Sequence, residues 1–161
     1  MAPVGLVGLG LLGSAVAGRL RAAGHEVVGH DVLVGRAGQA MVLKLVANLL
    51  VALNSAAAAE ALAMVERAGL DVPLALELLT SSAATSRMLE VRGPLIVKRD
   101  FPPQMKLELF MKDLHLIQEA AGAVGAAVPL TDVAERLYAA AHAAGHGGED
   151  LAVVVTALTR R

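Results

Sequence analysis

A short strand-helix-strand segment running into an all-helical remainder is the fold this sequence predicts: an α/β fragment joined to an all-α domain. Three observations predict it. Apolar, strand-like runs at residues 3–7 and 26–31 flank a helix-like run over residues 14–23 that Gly24 stops. Glycines Gly8, Gly10 and Gly13 stand where the first strand passes into that helix. From Arg36 onward the alternation gives way to alanine-rich helical patterning, so the division expected is residues 1–35 and residues 36–161.

The glycines carry the first chemical reading. Gly8-Leu9-Gly10-Leu11-Leu12-Gly13 has G-x-G-x-x-G spacing and is answered by Asp31 eighteen residues later. One glycine lets the strand turn, the next lets backbone approach a pyrophosphate, and the third lets the helix pack on its strand. The N–H groups opening the helix then face the phosphates. This is the pattern of a Rossmann-type dinucleotide site; the bland alternative is a glycine-rich turn that binds nothing. A complete fold of that type has about six parallel strands, and this chain leaves the pattern after two.

Composition narrows the partners. Lys and Arg number 14 against 15 Asp and Glu, which leaves no basic footprint for nucleic acid. Only Phe101, Phe110 and Tyr138 are aromatic, too few for base stacking. Without cysteine there are no disulfides or thiolate metal sites. The apolar N-terminus lacks a preceding Lys or Arg and carries its glycines at dinucleotide spacing, so it reads as fold, not as signal peptide.

The helical part opens with residues 38–67, one helix of roughly 45 Å ending at Gly69 and apolar almost all round. Lys44, Asn48, Asn54 and Ser55 interrupt it, so burial between subunits is expected in preference to a membrane. Asp71 caps the next helix, with Pro73 in its first turn. After a polar joint at residues 80–86, a short helix over 87–91 is stopped by Gly93-Pro94. Helices follow over residues 106–124, over 131–144 with Thr131 as cap, and over 150–159.

On the long helix Lys44 and Asn48 share a face, to which Ser55 returns. A buried ammonium needs a partner, a route to solvent, or a proton-transfer role. Lys112 and Asp113 are adjacent and point about 100° apart, whereas Glu108 and Lys112 share a face suited to an exposed ion pair. His142 and His146 have ligand-like spacing, but Gly145 breaks the helix between them, so no metal is expected.

These residues together resemble a family. Gly5 to Gly13, then Gly24-His25-Glu26-Val27-Val28 and Asp31, resemble the start of the β-hydroxyacid dehydrogenases, which include 3-hydroxyisobutyrate dehydrogenase and the tartronate, glyoxylate and succinic semialdehyde reductases. Lys44-Leu45-Val46-Ala47-Asn48, Asn54, Glu60-Ala61-Leu62, Ala68-Gly69-Leu70-Asp71, Lys112-Asp113-Leu114, Pro129-Leu130 and the stretch 145–150 follow the order of that family's helical C-terminal domain. The resemblance implies NAD, or NADP, on the turn formed by Gly8, Leu9, Gly10, Leu11, Leu12 and Gly13, with Asp31 on the adenosine ribose. It implies Lys44 as general acid/base, Asn48 orienting a small hydroxy acid or semialdehyde, and Lys112 and Asp113 near the cofactor. It further implies a cytoplasmic enzyme that binds neither nucleic acid nor membrane and forms a homodimer or higher homo-oligomer through the helical half.

Two departures from the family pattern stand out. Gly38 lies six residues before Lys44, where the family has four, and both the remaining sheet strands and the D-x-P-V-S-G-G-like carboxylate segment are missing. An abnormal connection is therefore expected at residues 31–35. The competing function is a non-catalytic helical dimerisation module with a vestigial nucleotide-binding hairpin.

Overall fold

The computed structural model describes residues 3–7, 11–30 and 39–159. They fall into two compact units, residues 1–47 and 48–161.

In the first unit, strand β1 (Val4–Val7) pairs in parallel with β2 (Val27–His30), in register Val4 to Val27 through Val7 to His30. Helix α1 (Leu11–Ala22) makes the crossover that parallel pairing requires. The expected connection at residues 31–35 lies outside the described residues.

Helix α2 (Gln39–Arg67) links the units and runs unbroken for 29 residues. It ends where Gly69 takes φ +71°, a conformation that glycine adopts without a Cβ penalty. Then come α3 (Val72–Thr80), α4 (Arg87–Lys98), α5 (Leu107–Ala123) and α6 (Pro129–Ala141). A π-turn at His142–His146, a 3-10 turn at Leu151–Val154 and α7 (Val155–Thr159) close the chain.

The core of the second unit forms along one stripe of α2: Ala52, Ser55, Ala56, Ala59, Leu62 and Ala63 are all buried. Small side chains let neighbouring helices come close. Phe110 and Leu114 of α5, Tyr138 of α6 and Leu151 to Val155 fill the space opposite. Phe110 and Tyr138 meet edge-on, centroids 6.1 Å apart, and the Tyr138 hydroxyl donates to Ala52 O at 2.8 Å. The far side of α2 is open in the single chain, with Leu50 52% and Met64 77% exposed. By length and composition alone, residues 41–67 would be long and apolar enough to cross a membrane.

Three local expectations change. Helix α4 does not stop at Gly93-Pro94 but continues to Lys98, because Arg92, Gly93 and Ile96 are buried and this packing outweighs the amide that Pro94 lacks. Thr131 is not a cap: Pro129 opens α6, and Thr131 is buried two residues on. Ser55 lies on the face of Asn48 but is buried beside Tyr138, so the polar stripe runs into the core. Glu108 pairs at 3.9 Å with Lys106, and no pair between Glu108 and Lys112 occurs among the described residues. Asp71 caps α3 as expected, accepting from Leu74 N at 2.8 Å.

Candidate active site

Asn48 is half-buried at the head of the α2 stripe that continues through Ala52 and Ser55. Its Nδ2 donates to Asp113 Oδ2 at 2.9 Å, across 65 residues of sequence. Asp113 reaches it because α5 buries Phe110, Leu114 and Ile117, and the residue three after Phe110 and four before Ile117 lies on that same inward side. An amide N–H given to a carboxylate is a charge-assisted bond, stronger than one between neutral groups.

The start of α5 is fixed by residues for which the sequence offers no local signal. Asp150 is fully buried; its Oδ1 accepts from Arg92 Nε and Ala152 N, and its Oδ2 from Met105 N, each at 3.0 Å. Around it, Leu107 N donates to Glu149 O and Glu108 N to Gly147 O, both at 2.9 Å. A turn late in the chain thus braces the helix that carries Asp113. Along the chain Asp150 follows Gly147-Gly148-Glu149 and precedes an apolar run, a pattern that by itself indicates only an ordinary cap.

Lys44 lies one helical turn before Asn48 on α2, is exposed, and has no ion-pair partner among the described residues. Lys112 is exposed as well, in an open groove shared with Met111, His115, Glu119 and, from α6, Glu135. The adjacent residues Lys112 and Asp113 therefore serve different neighbours, as their angular separation requires. His146 Nδ1 lies 3.3 Å from Glu149, beyond the kink at Gly145, where φ is +95°. No group of three metal-ligating side chains occurs among the described residues.

Of the dinucleotide fingerprint, Gly8, Leu9, Gly10 and Asp31 lie outside the described residues. Leu11, Leu12 and Gly13 form the first turn of α1. The residues fit a dinucleotide in one observable respect: α1 opens four residues after β1 ends, and β1 and β2 are parallel and finish together at Val7 and His30. In such a unit the unpaired N–H groups of the helix face the carboxyl ends of the strands, where a pyrophosphate binds.

Residues 37–158 match the family model described as NAD-binding of NADP-dependent 3-hydroxyisobutyrate dehydrogenase. The chain is 37% identical over 113 residues to the L-threonate dehydrogenase of Cupriavidus necator, covering 70% of this chain and 38% of that protein. It is 35% identical over 134 residues to the 2-hydroxy-3-oxopropionate reductase of Escherichia coli, covering 83% and 46%. The crystal structure of a 3-hydroxyisobutyrate dehydrogenase from Salmonella typhimurium superposes with a TM-score of 0.72 at 30% identity, over 93% of this chain and 52% of that one. The chain spans less than half the length of those two curated relatives. With most of its residues inside the family match, the chain belongs to the NAD-binding family of NADP-dependent 3-hydroxyisobutyrate dehydrogenase.

Proposed function

We propose that this chain serves an NAD(P)-dependent β-hydroxyacid dehydrogenase of the cytoplasm, acting on a small hydroxy acid or its semialdehyde. The observation that carries the reading is the bond from Asn48 to Asp113 on helices α2 and α5, within a chain matched to the family over residues 37–158. The nicotinamide supplies or accepts the hydride when bound. Gly8, Leu9, Gly10, Leu11, Leu12 and Gly13 bind the pyrophosphate, and Asp31 accepts from the ribose hydroxyls, which favours NAD, with NADP the alternative. Lys44 gives its proton to the substrate oxygen in reduction and takes it back in oxidation. Its exposure lets it exchange that proton with water. Asn48 orients the substrate, and Lys112 and Asp113 are assigned to cofactor binding.

A second reading has an observation of its own. An open apolar groove runs between α2 and α6, lined by Leu50, Leu53, Ala57, Leu130 and Val133, with Asn54 and Glu60 among its few polar residues. It supports a helical dimerisation module with a vestigial nucleotide hairpin. Mixing the chain with NADH or NADPH and following nicotinamide fluorescence, then turnover with 3-hydroxyisobutyrate, L-threonate or 2-hydroxy-3-oxopropionate, separates the two. Binding with turnover supports the dehydrogenase; neither binding nor turnover overturns it in favour of the module.

A further inference from the structure

Parallel strands are found where both faces of their sheet are covered, and two strands alone are at best marginally stable in water. The first unit meets neither condition among its described residues. It has two strands and a single crossover helix, which can cover one face only. No described residue before Ala52 is buried, and Val16 of α1 and Val28 of β2 are 40% and 57% exposed.

Helix α1 adds little strength of its own. At 12 residues it is short for a helix that must hold without a core behind it. Gly18 lies in its interior, and a Cβ added there would meet nothing within 4 Å. This glycine carries the entropic cost of its kind in a helix and gains no close packing in return. What the unit does offer is the set of unpaired N–H groups that opens α1, suited to an anion.

We propose that the first unit folds on binding: β1, α1 and β2 draw their stability from the dinucleotide, so that cofactor binding and ordering of this unit form one linked equilibrium. The proposal rests on the dinucleotide reading for its ligand and on the burial pattern for the coupling. A ligand held only by the ordered unit stabilises it by mass action, and its apparent affinity is reduced in proportion to the fraction of chains already ordered. The second unit has a core of its own and stays folded throughout.

Gly18→Ala isolates the coupling, because it lies outside the glycine turn, meets no neighbour and acts only on the helix. It should shift the equilibrium toward the ordered unit by about four- to fivefold. Titration of the full chain with NADH, followed by nicotinamide fluorescence, should show affinity rising by the same factor. Gly122→Ala, the same change with the same open space in α5, should leave NADH affinity unchanged. Amide exchange read by NMR should find the Val4 amide, which donates to Glu26 O at 2.8 Å, and the other ladder amides of β1 and β2 unprotected in the free chain and protected at saturating NADH. The amides of α5 and α6 should be protected in both. Strand amides as protected as those of α5 without NADH, or an NADH affinity that ignores Gly18→Ala, overturns the coupling and leaves the dinucleotide reading standing. Protection that grows with chain concentration and not with NADH overturns it in favour of a second copy covering the strands. A chain that binds no NADH in either form, while Gly18→Ala still slows strand exchange, overturns the dinucleotide reading and with it the ligand, and leaves only the weak stability of the unit demonstrated.

Discussion

Arg92 and Asp150 meet at 3.0 Å, with 6% and 0% of their side-chain surface exposed, and the carboxylate spends its remaining capacity on the N–H groups of Met105 and Ala152. Removing one partner leaves a buried charge uncompensated. Asp150→Ala should cost about 3–5 kcal/mol in urea unfolding. Arg92→Met should cost less than Asp150→Ala, because the aspartate keeps both backbone donors, whereas the arginine would retain only its contact with the Met88 sulfur.

Gly93 is the point where α4 touches α3. A Cβ placed there would fall well inside van der Waals contact with a terminal methyl of Leu76. Gly93→Ala should therefore destabilise by about 1–3 kcal/mol despite alanine's better helix propensity, and Leu76→Ala in the same chain should recover part of that loss. Additive losses in a thermal-melt cycle would show that the two residues do not compete for space.

Burial pushes the Tyr138 phenol above the ordinary tyrosine range, with the nearby Arg92 charge opposing the shift and Asp150 adding to it. The sign follows from linkage. The folded state keeps a proton that the unfolded state releases above about pH 10, so stability is intact below that value and falls as pH rises further, at up to about 1.4 kcal/mol per pH unit. Tyr138→Phe should flatten this alkaline slope while lowering stability at pH 7 by about 1 kcal/mol, since Ala52 O loses its hydroxyl donor.

Lys44→Ala should lower reductase turnover by about 10²–10⁴-fold and leave NAD(P)H affinity nearly unchanged, because the proposed lysine acts on the substrate oxygen and not on the phosphates. Gly10→Val should do the reverse, its side chain taking the space of the pyrophosphate. Fluorescence titration beside steady-state kinetics reads both. Near-normal turnover in Lys44→Ala would remove it from the acid/base role.

Leu130 is 67% and Leu50 52% exposed on either side of the α2–α6 groove. Apolar surface of that kind facing water is expected to be covered by a second copy. Light scattering at micromolar concentration should give at least a dimer, and Leu130→Glu should shift it toward monomer. A monomer in the native chain would remove the oligomer from the proposal.

The parts of this fold legible in the sequence are those fixed by neighbours along the chain. The span of α2, the Asp71 cap and the glycine that ends α2 all follow from periodicity and side-chain reach within a few residues. Pro94 misled because its cost is local, whereas the burial of Gly93 and Ile96 that outweighs it comes from distant helices. Thr131 resembles a cap in residue type, but Pro129, suited to the first helical position, sets the start of α6 two residues earlier. At the candidate site, Asn48 and Asp113 each stand out in the sequence, but their mutual bond does not, since nothing in either helix states which residue of the other it will face.

The first turn of α5 has no side-chain cap, and its leading N–H groups instead find the carbonyls of Glu149 and Gly147, some forty residues downstream. On a ribosome, where synthesis runs from the N-terminus, Asp113 emerges well before the turn that braces its helix. Until that turn is made, α5 begins with unsatisfied donors and Asp150 is not there to anchor Met105. Completion of the Asn48–Asp113 arrangement is thus coupled to arrival of the last part of the chain, and a nascent helical unit released short of residue 147 would carry every proposed catalytic side chain without the scaffold that aligns them.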